Sequence, residues 1–207
     1  MELFITKISK LGRIRSVESV KSVELVESVE PVKSVELVEE VGGEKQFPHS
    51  LNCEKILQYK KTNGSLPELG NTISNEELLE LPVAILVPAA MENVINGKNM
   101  KKIKAKIIIE MANGPVSEEA YDYLTKKGTI IVPDVLANSG GVVVSYLEWY
   151  QNMHEETWTE QQVNDKLQVI MNTAFEDIWQ TYKKRNHSLK QAAFETAMGR
   201  IIQKYDE

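Results

Sequence analysis

Residues 133–149 read Pro133-Asp134-Val135-Leu136-Ala137-Asn138-Ser139-Gly140-Gly141-Val142-Val143-Val144-Ser145-Tyr146-Leu147-Glu148-Trp149. The apolar run before them, Thr129-Ile130-Ile131-Val132, has the make-up of a buried strand. Pro133 has no N–H to give to a ladder and ends it. Two polar side chains and a Gly-Gly pair follow, then an apolar segment that predicts a buried helix. Glycines at a strand-to-helix junction let a ligand approach the backbone, because no Cβ stands in the way. If helical winding has begun by Asn138, then Asn138, Val142 and Ser145 stand at i, i+4 and i+7 and share one face. An amide, an apolar wall and a hydroxyl then line one side of a cleft. The same residues have a plainer reading, a loop and a core helix whose Asn138 and Ser145 only bond backbone groups. Spacing alone favours the plainer one.

Outward from this stretch the pattern repeats. Val83 to Val87, between Pro82 and Pro88, and Lys106 to Ile109 are two further short apolar runs. Ser117 to Lys127 predicts a helix, with Ser117 as its cap and Gly128 as its stop. Short apolar strands alternating with helices make a parallel sheet with helices on its faces. On the amino-terminal side, Leu51 to Lys61 predicts a short helix ended by Asn63-Gly64, and Ser74-Asn75-Glu76-Glu77 a capping box. On the carboxyl-terminal side, Thr159 with Gln162 and Ser188 with Gln191 fit the same pattern. The first of these opens a helix with a broad apolar stripe from Val163 to Tyr182, the second one carrying Leu189, Ala192, Ala193, Ile201, Ile202 and Tyr205. Stripes at helical spacing are core or interface.

The amino-terminal region reads differently. From Ser16 to Glu39 the unit Ser-Val-Glu-(Ser/Pro)-Val-Lys-Ser-Val-Glu-Leu-Val-Glu occurs twice, with valine at every third position from Val17 to Val41. That period matches neither helix nor strand, so the valines cannot keep to one face. Residues 1–47 are accordingly expected to be a low-complexity, disordered tail with a linker from Gly42-Gly43 to Pro48, and residues 48–207 the globular part.

Composition narrows the function classes. A net charge of −6 over 207 residues gives no electrostatic footprint for nucleic acid and no polybasic membrane patch. No apolar run approaches a bilayer span, and the start is too poor in apolar residues for a signal peptide. Cys53 is the only cysteine, which excludes an internal disulfide, and a reducing, cytoplasmic setting is expected. His49, His154 and His187 lack metal-ligand spacing, so no metal site is expected. Trp149, Trp158 and Trp179 read as packing anchors, and the lysines from Lys98 to Lys106 as a solvated face.

Together with the opening stretch, Pro88-Ala89-Ala90-Met91-Glu92-Asn93-Val94-Ile95 and Ala112-Asn113-Gly114-Pro115 resemble the cofactor-binding half of the glutamate dehydrogenases. The resemblance runs from about Leu51 to Tyr205. It implies an α/β fold: an incomplete doubly wound, Rossmann-like parallel sheet with carboxyl-terminal helices behind the low-complexity tail. It also implies oxidative deamination of L-glutamate to 2-oxoglutarate and ammonia with NAD or NADP. On these positions it implies that Ala90, Asn113 and Asn138 lie along the cofactor, the asparagines near the nicotinamide carboxamide. Val142 and Ser145 would line the substrate side, Ser145 donating to the side-chain carboxylate, which favours glutamate over leucine or phenylalanine.

Met111 stands where the family commonly has glycine, narrowing the cofactor path, and Ser139 where it commonly has alanine. The chain contains no Gly-x-Gly-x-x-Gly, and nothing matching the family's substrate domain with its catalytic lysine and aspartate. The expectation is therefore a truncated enzyme, inactive alone, with bare apolar helix surface. The alternatives are a non-catalytic module that binds a partner through its uncovered helix stripes or associates with a full-length relative, or one half of a split enzyme whose missing half is on another chain.

Overall fold

A computed structural model describes residues 39–41, 44–46, 53–64, 74–185 and 187–205, which fall into two compact units dividing between Leu81 and Pro82. In the amino-terminal unit, β1 (Glu39–Val41) pairs antiparallel with β2 (Glu44–Gln46). Gly42 and Gly43, which separate them in sequence where a linker is expected, lie outside the described residues. Helix α1 spans Cys53–Asn63 and is followed by Gly64 at φ +74°. Helix α2 (Asn75–Leu79) carries the expected capping box: Glu77 N–H donates to Ser74 Oγ at 3.1 Å and Ser74 N–H to Glu77 Oε2 at 2.8 Å. The valine repeat before Glu39, His49 and Leu51 lie outside the described residues.

The unit from Pro82 onward is built on three parallel strands in sequence order, β3 (Ile85–Leu86), β4 (Ile107–Ile109) and β5 (Ile130–Val132). Ile85 stands opposite Ile107, and Ile107 opposite Ile130. Every strand residue is buried, as a sheet covered on both faces requires. Helix α3 (Glu118–Lys127) makes the crossover from β4 to β5 and packs on β5. Ser117 Oγ accepts from Ala120 N–H at 3.3 Å, and Gly128 stops the helix at φ +95°.

After β5 come α4 (Asp134–Ala137), α5 (Gly140–His154), α6 (Glu160–Arg185) and α7 (Leu189–Tyr205). The capping boxes at Thr159/Gln162 and Ser188/Gln191 are both formed. Alternate strand residues Ile85, Ile107, Ile109, Ile130 and Val132 share one core with Phe175, Ile178 and Trp179 of α6 and Leu189, Ala192 and Ala193 of α7. The lysine-rich stretch before β4 alternates as a solvated edge should, with Ile103 and Ala105 buried between exposed Lys102, Lys104 and Lys106.

Three expectations are corrected. The stretch after Pro133 is not an extended loop: α4 fills most of it, and Asn138 and Ser139 make a two-residue turn with right-handed backbone angles before α5. The apolar helix that follows is not buried, since α5 buries Leu147 alone and leaves Val142 74% exposed. Its packing partner is α6 along one line, and among the described residues nothing covers its other faces. For the same reason Trp149, on the open side of α5, is exposed and not a packing anchor, whereas Trp179 is only 6% exposed in the core. Trp158 is half-buried, its indole N–H on Glu156 and Lys166 Nζ 4.4 Å above its ring.

Candidate functional site

The three parallel strands end in turns on one edge of the sheet. Those turns and the start of α5 enclose an open hollow of about 690 Å³, lined by Ala89, Ala90 and Glu92, by Met111, Ala112 and Asn113, and by Asn138, Gly141, Val142 and Ser145. Ala90, Asn113, Asn138, Val142 and Ser145 therefore share one cleft, although Ala90 and Asn113 lie far from the others in sequence.

The turns are braced by backbone bonds. Met111 N–H and Ala112 N–H both donate to Pro88 O, at 3.1 and 2.9 Å. Asn93, left-handed at φ +55°, donates its N–H to Gly114 O at 2.9 Å, and Ile95 bridges Val116 in parallel register. Gly114 adopts φ +56°, a conformation that a Cβ would oppose, and its N–H donates to Asp134 Oδ2 at 2.9 Å. Asn113 is thereby held between two anchored neighbours.

The amide pair is the centre of the cleft. Asn138 Nδ2 donates to Met111 O at 3.3 Å and to Asn113 Oδ1 at 2.7 Å. A carbonyl oxygen only accepts, so Met111 O fixes which end of the Asn138 amide faces it, and that in turn fixes Asn113. The pair leaves Asn113 Nδ2 as a donor and Asn138 Oδ1 as an acceptor, the complement of a third carboxamide. Beside it Gly141 presents bare backbone: a Cβ built there meets nothing within 4 Å. Ser145 Oγ donates to Gly141 O at 3.2 Å, a helical back-bond of the plain kind. Ser139 is turned away from the pair, its hydroxyl donating to Leu136 O at 2.9 Å and lying 3.6 Å from Met171 Sδ. Met111 is on the lining and partly exposed, so its side chain narrows the hollow from the second turn.

Two carboxylates near the cleft escaped the sequence reading. Glu92 lies on the lining, and nothing in a charged loop residue distinguishes it from a solvated one. Glu110, just after β4, is wholly buried; its Oε2 accepts from Asp134 N–H at 3.1 Å and its Oε1 has no partner among the described residues. Burial pushes its carboxyl above the usual carboxylate range, the Asp134 charge adding to the shift while the Asp134 N–H, the Lys190 ammonium and the Val116 N–H oppose it. Its only sequence signal is a charged residue directly following three isoleucines.

A second hollow of about 650 Å³ lies between α5 and α6, lined by Tyr146, Tyr150, Trp158, Asp165, Lys166 and Ile170 among others, and contains none of the expected site residues. His154 stacks on Tyr150 and His187 lies 3.6 Å from Glu195. Among the described residues no three His, Cys, Asp or Glu side chains cluster to hold a metal, and no helix is long and apolar enough to cross a membrane.

The carboxyl tips of an open parallel sheet are where doubly wound α/β domains bind their ligands, and this hollow of mixed polar and apolar lining lies there. The model of the Glutamate/Leucine/Phenylalanine/Valine dehydrogenase family matches residues 38–207. A glutamate dehydrogenase of Thermotoga maritima is 43% identical over 156 residues, which are 74% of this chain and 38% of that protein. An NAD-specific glutamate dehydrogenase of Staphylococcus aureus is 43% identical over 148 residues, 71% of this chain and 36% of its own length. In structure, the chain is similar to the hetero-hexameric glutamate dehydrogenase from Thermus thermophilus with Leu bound, with a TM-score of 0.69 at 29% identity over 75% of this chain and 37% of that one. The chain belongs to the Glutamate/Leucine/Phenylalanine/Valine dehydrogenase family, and spans little more than a third of the length of these relatives.

Proposed function

We propose that the cleft holds the nicotinamide end of NAD or NADP beside L-glutamate, as part of a site for oxidative deamination to 2-oxoglutarate and ammonia. The observation that carries this reading is the amide pair. With Asn138 Nδ2 bonded to Asn113 Oδ1, the pair keeps one amide donor, Asn113 Nδ2, and one acceptor, Asn138 Oδ1, the two kinds of group that the carboxamide of nicotinamide calls for. The Cβ-free backbone at Gly141 leaves room for a flat ring to lie close, and Ala90 contributes small, apolar lining on the opposite wall. When bound, the nicotinamide supplies a hydride acceptor for the substrate Cα. Val142 keeps water from that side of the cleft. Ser145 exchanges its back-bond to Gly141 O for the side-chain carboxylate of glutamate, a bond that leucine or phenylalanine could not offer. No Gly-x-Gly-x-x-Gly occurs in the chain, so the fit concerns the nicotinamide end alone.

The residues of the cleft bind and orient. General acid–base groups contribute roughly 10²–10⁴-fold, and holding two reactants in register about 7–11 kcal/mol. Turnover therefore draws on groups beyond these 207 residues, and the chain alone does not deaminate glutamate. The uncovered apolar rows on α5, α6 and α7 favour a chain that works seated on another polypeptide, either a full-length relative or one carrying the remaining half of the site. Titration of the purified chain with reduced nicotinamide mononucleotide, followed by fluorescence, tests the nicotinamide reading. Saturable binding lost in Asn113→Ala and Asn138→Ala is expected, and binding indifferent to both would reject it. Family-like rates from the chain with glutamate and NAD or NADP would reject the claim of incompleteness.

A further inference from the structure

We infer that Glu110 is a positioning residue: buried at the root of the cleft, it sets through Asp134 and Gly114 the direction in which Asn113 and Asn138 present their amides. The inference deepens the nicotinamide reading given above and rests on it for the ligand, though not for the geometry.

A buried carboxyl is a poor choice for stability alone, because an apolar or amide side chain of similar volume carries no comparable desolvation cost. The Glu110 carboxyl accepts from Asp134 N–H at 3.1 Å and also feels the Val116 backbone N–H, while Oε1 has no partner within hydrogen-bond distance among the described residues. That bond fixes the first residue of α4. Both oxygens of Asp134 are then engaged, Oδ1 by Val135 N–H at 2.8 Å and Oδ2 by Gly114 N–H at 2.9 Å. Gly114 adjoins Asn113, whose Oδ1 accepts from Asn138 Nδ2 at the far end of α4. The segments 110–114 and 134–138 are thus riveted to each other at both ends, with Glu110 as the rivet farthest from solvent. Apolar packing seats 134–138 through Leu136, which is buried in the core, but it does not reach the tip of 110–114, where Asn113 and Gly114 are exposed.

The test is made on the full chain without ligand, from the backbone amide resonance of Gly114 and the side-chain amide resonances of Asn113 and Asn138. Glu110→Gln keeps an acceptor for Asp134 N–H, so all three resonances should stay near their wild-type positions. Glu110→Leu removes the acceptor, so all three should shift while those of Ile178 and Ala192 in the core do not. Unshifted cleft resonances in a folded Glu110→Leu chain would overturn the inference.

Should that variant fail to fold, the wild-type pH titration decides. Part of the pH dependence of the Gly114 and Asn138 amides should come from the Glu110 carboxyl, and that part should be missing in Glu110→Gln. Asp134, Lys190 and Tyr121 are the other charged or titratable groups that act on Glu110. Cleft amides that titrate identically in wild type and Glu110→Gln would overturn the inference. With reduced nicotinamide mononucleotide as probe, Glu110→Leu should weaken binding by about tenfold and Glu110→Gln by less than about threefold. Ligand-free shifts as expected, with no binding by wild type, would uphold the positioning role and reject the nicotinamide reading alone.

Discussion

Trp179 and Val142 belong to helices of the same unit, both rich in apolar residues, yet one is 6% exposed and the other 74%. Around Trp179 the strands, α6 and α7 close over one another. Around Val142, α5 forms one wall of an open hollow, and the uncovered faces of α6 and α7 carry Val169, Phe194, Met198, Ile201 and Ile202 into solvent. The two regions obey the same periodicity and differ in whether this chain supplies the cover. An apolar stripe says which face seeks burial, not which polypeptide provides it.

That contrast breaks most visibly with Trp179→Ala. Removing a large buried side chain should cost about 3–5 kcal/mol in denaturant unfolding, whereas Val142→Ala should stay within roughly 0.5 kcal/mol. Comparable losses for the two would mean that α5 is covered after all.

The next largest effect is expected on the packed side, from Tyr121. Burial, with a smaller contribution from the charges of Glu110 and Asp134, pushes its hydroxyl up to about 12, against hydrogen bonding from Ser188 and Lys190. The folded value lies above the unfolded one near 10, so the neutral form is the one that folding favours. Its stabilisation is fully present below about pH 10 and is lost as pH rises through about 12, a total of about 3 kcal/mol. Unfolding free energies measured across that window should fall, and Tyr121→Phe should flatten the decline. A slope unchanged in the phenylalanine variant would assign the loss elsewhere.

On the open side the effects are smaller and change sign. Gly141→Ala adds a methyl that meets no protein atom, so it should raise stability by up to about 0.5–1 kcal/mol while weakening reduced nicotinamide mononucleotide binding. Binding as tight as wild type would place the ring away from Gly141. Smallest of all, Ile201→Ser should alter unfolding by no more than about 0.5 kcal/mol. Its effect should appear instead in sedimentation, as reduced self-association. A large unfolding effect would show that the end of α7 is already covered.

What was legible in the sequence was local. Ser74 with Glu77, Ser117 with Gly128, Thr159 with Gln162 and Ser188 with Gln191 each decide a helix end within a few residues, and all of them form. The three parallel strands were legible from short apolar runs, two of them bounded by proline or glycine, though they pair over fewer residues than the runs contain. The common cleft of Ala90, Asn113, Asn138, Val142 and Ser145 followed from parallel topology, because strands running one way must end on one edge. Glu110 was not legible, since its partners Asp134 and Lys190 are distant in sequence and burial creates its character. The exposure of α5 was not legible either, for composition records the appetite of a helix for cover and not its neighbours.

The left-handed Asn93, its bond to Gly114 O, and the bridge between Ile95 and Val116 tie the first turn to the second along several residues. Loops that are floppy when empty must surrender their freedom to whatever they grasp, which weakens the grip. Here that freedom is given up when the chain folds, so an arriving molecule meets a rim already in shape.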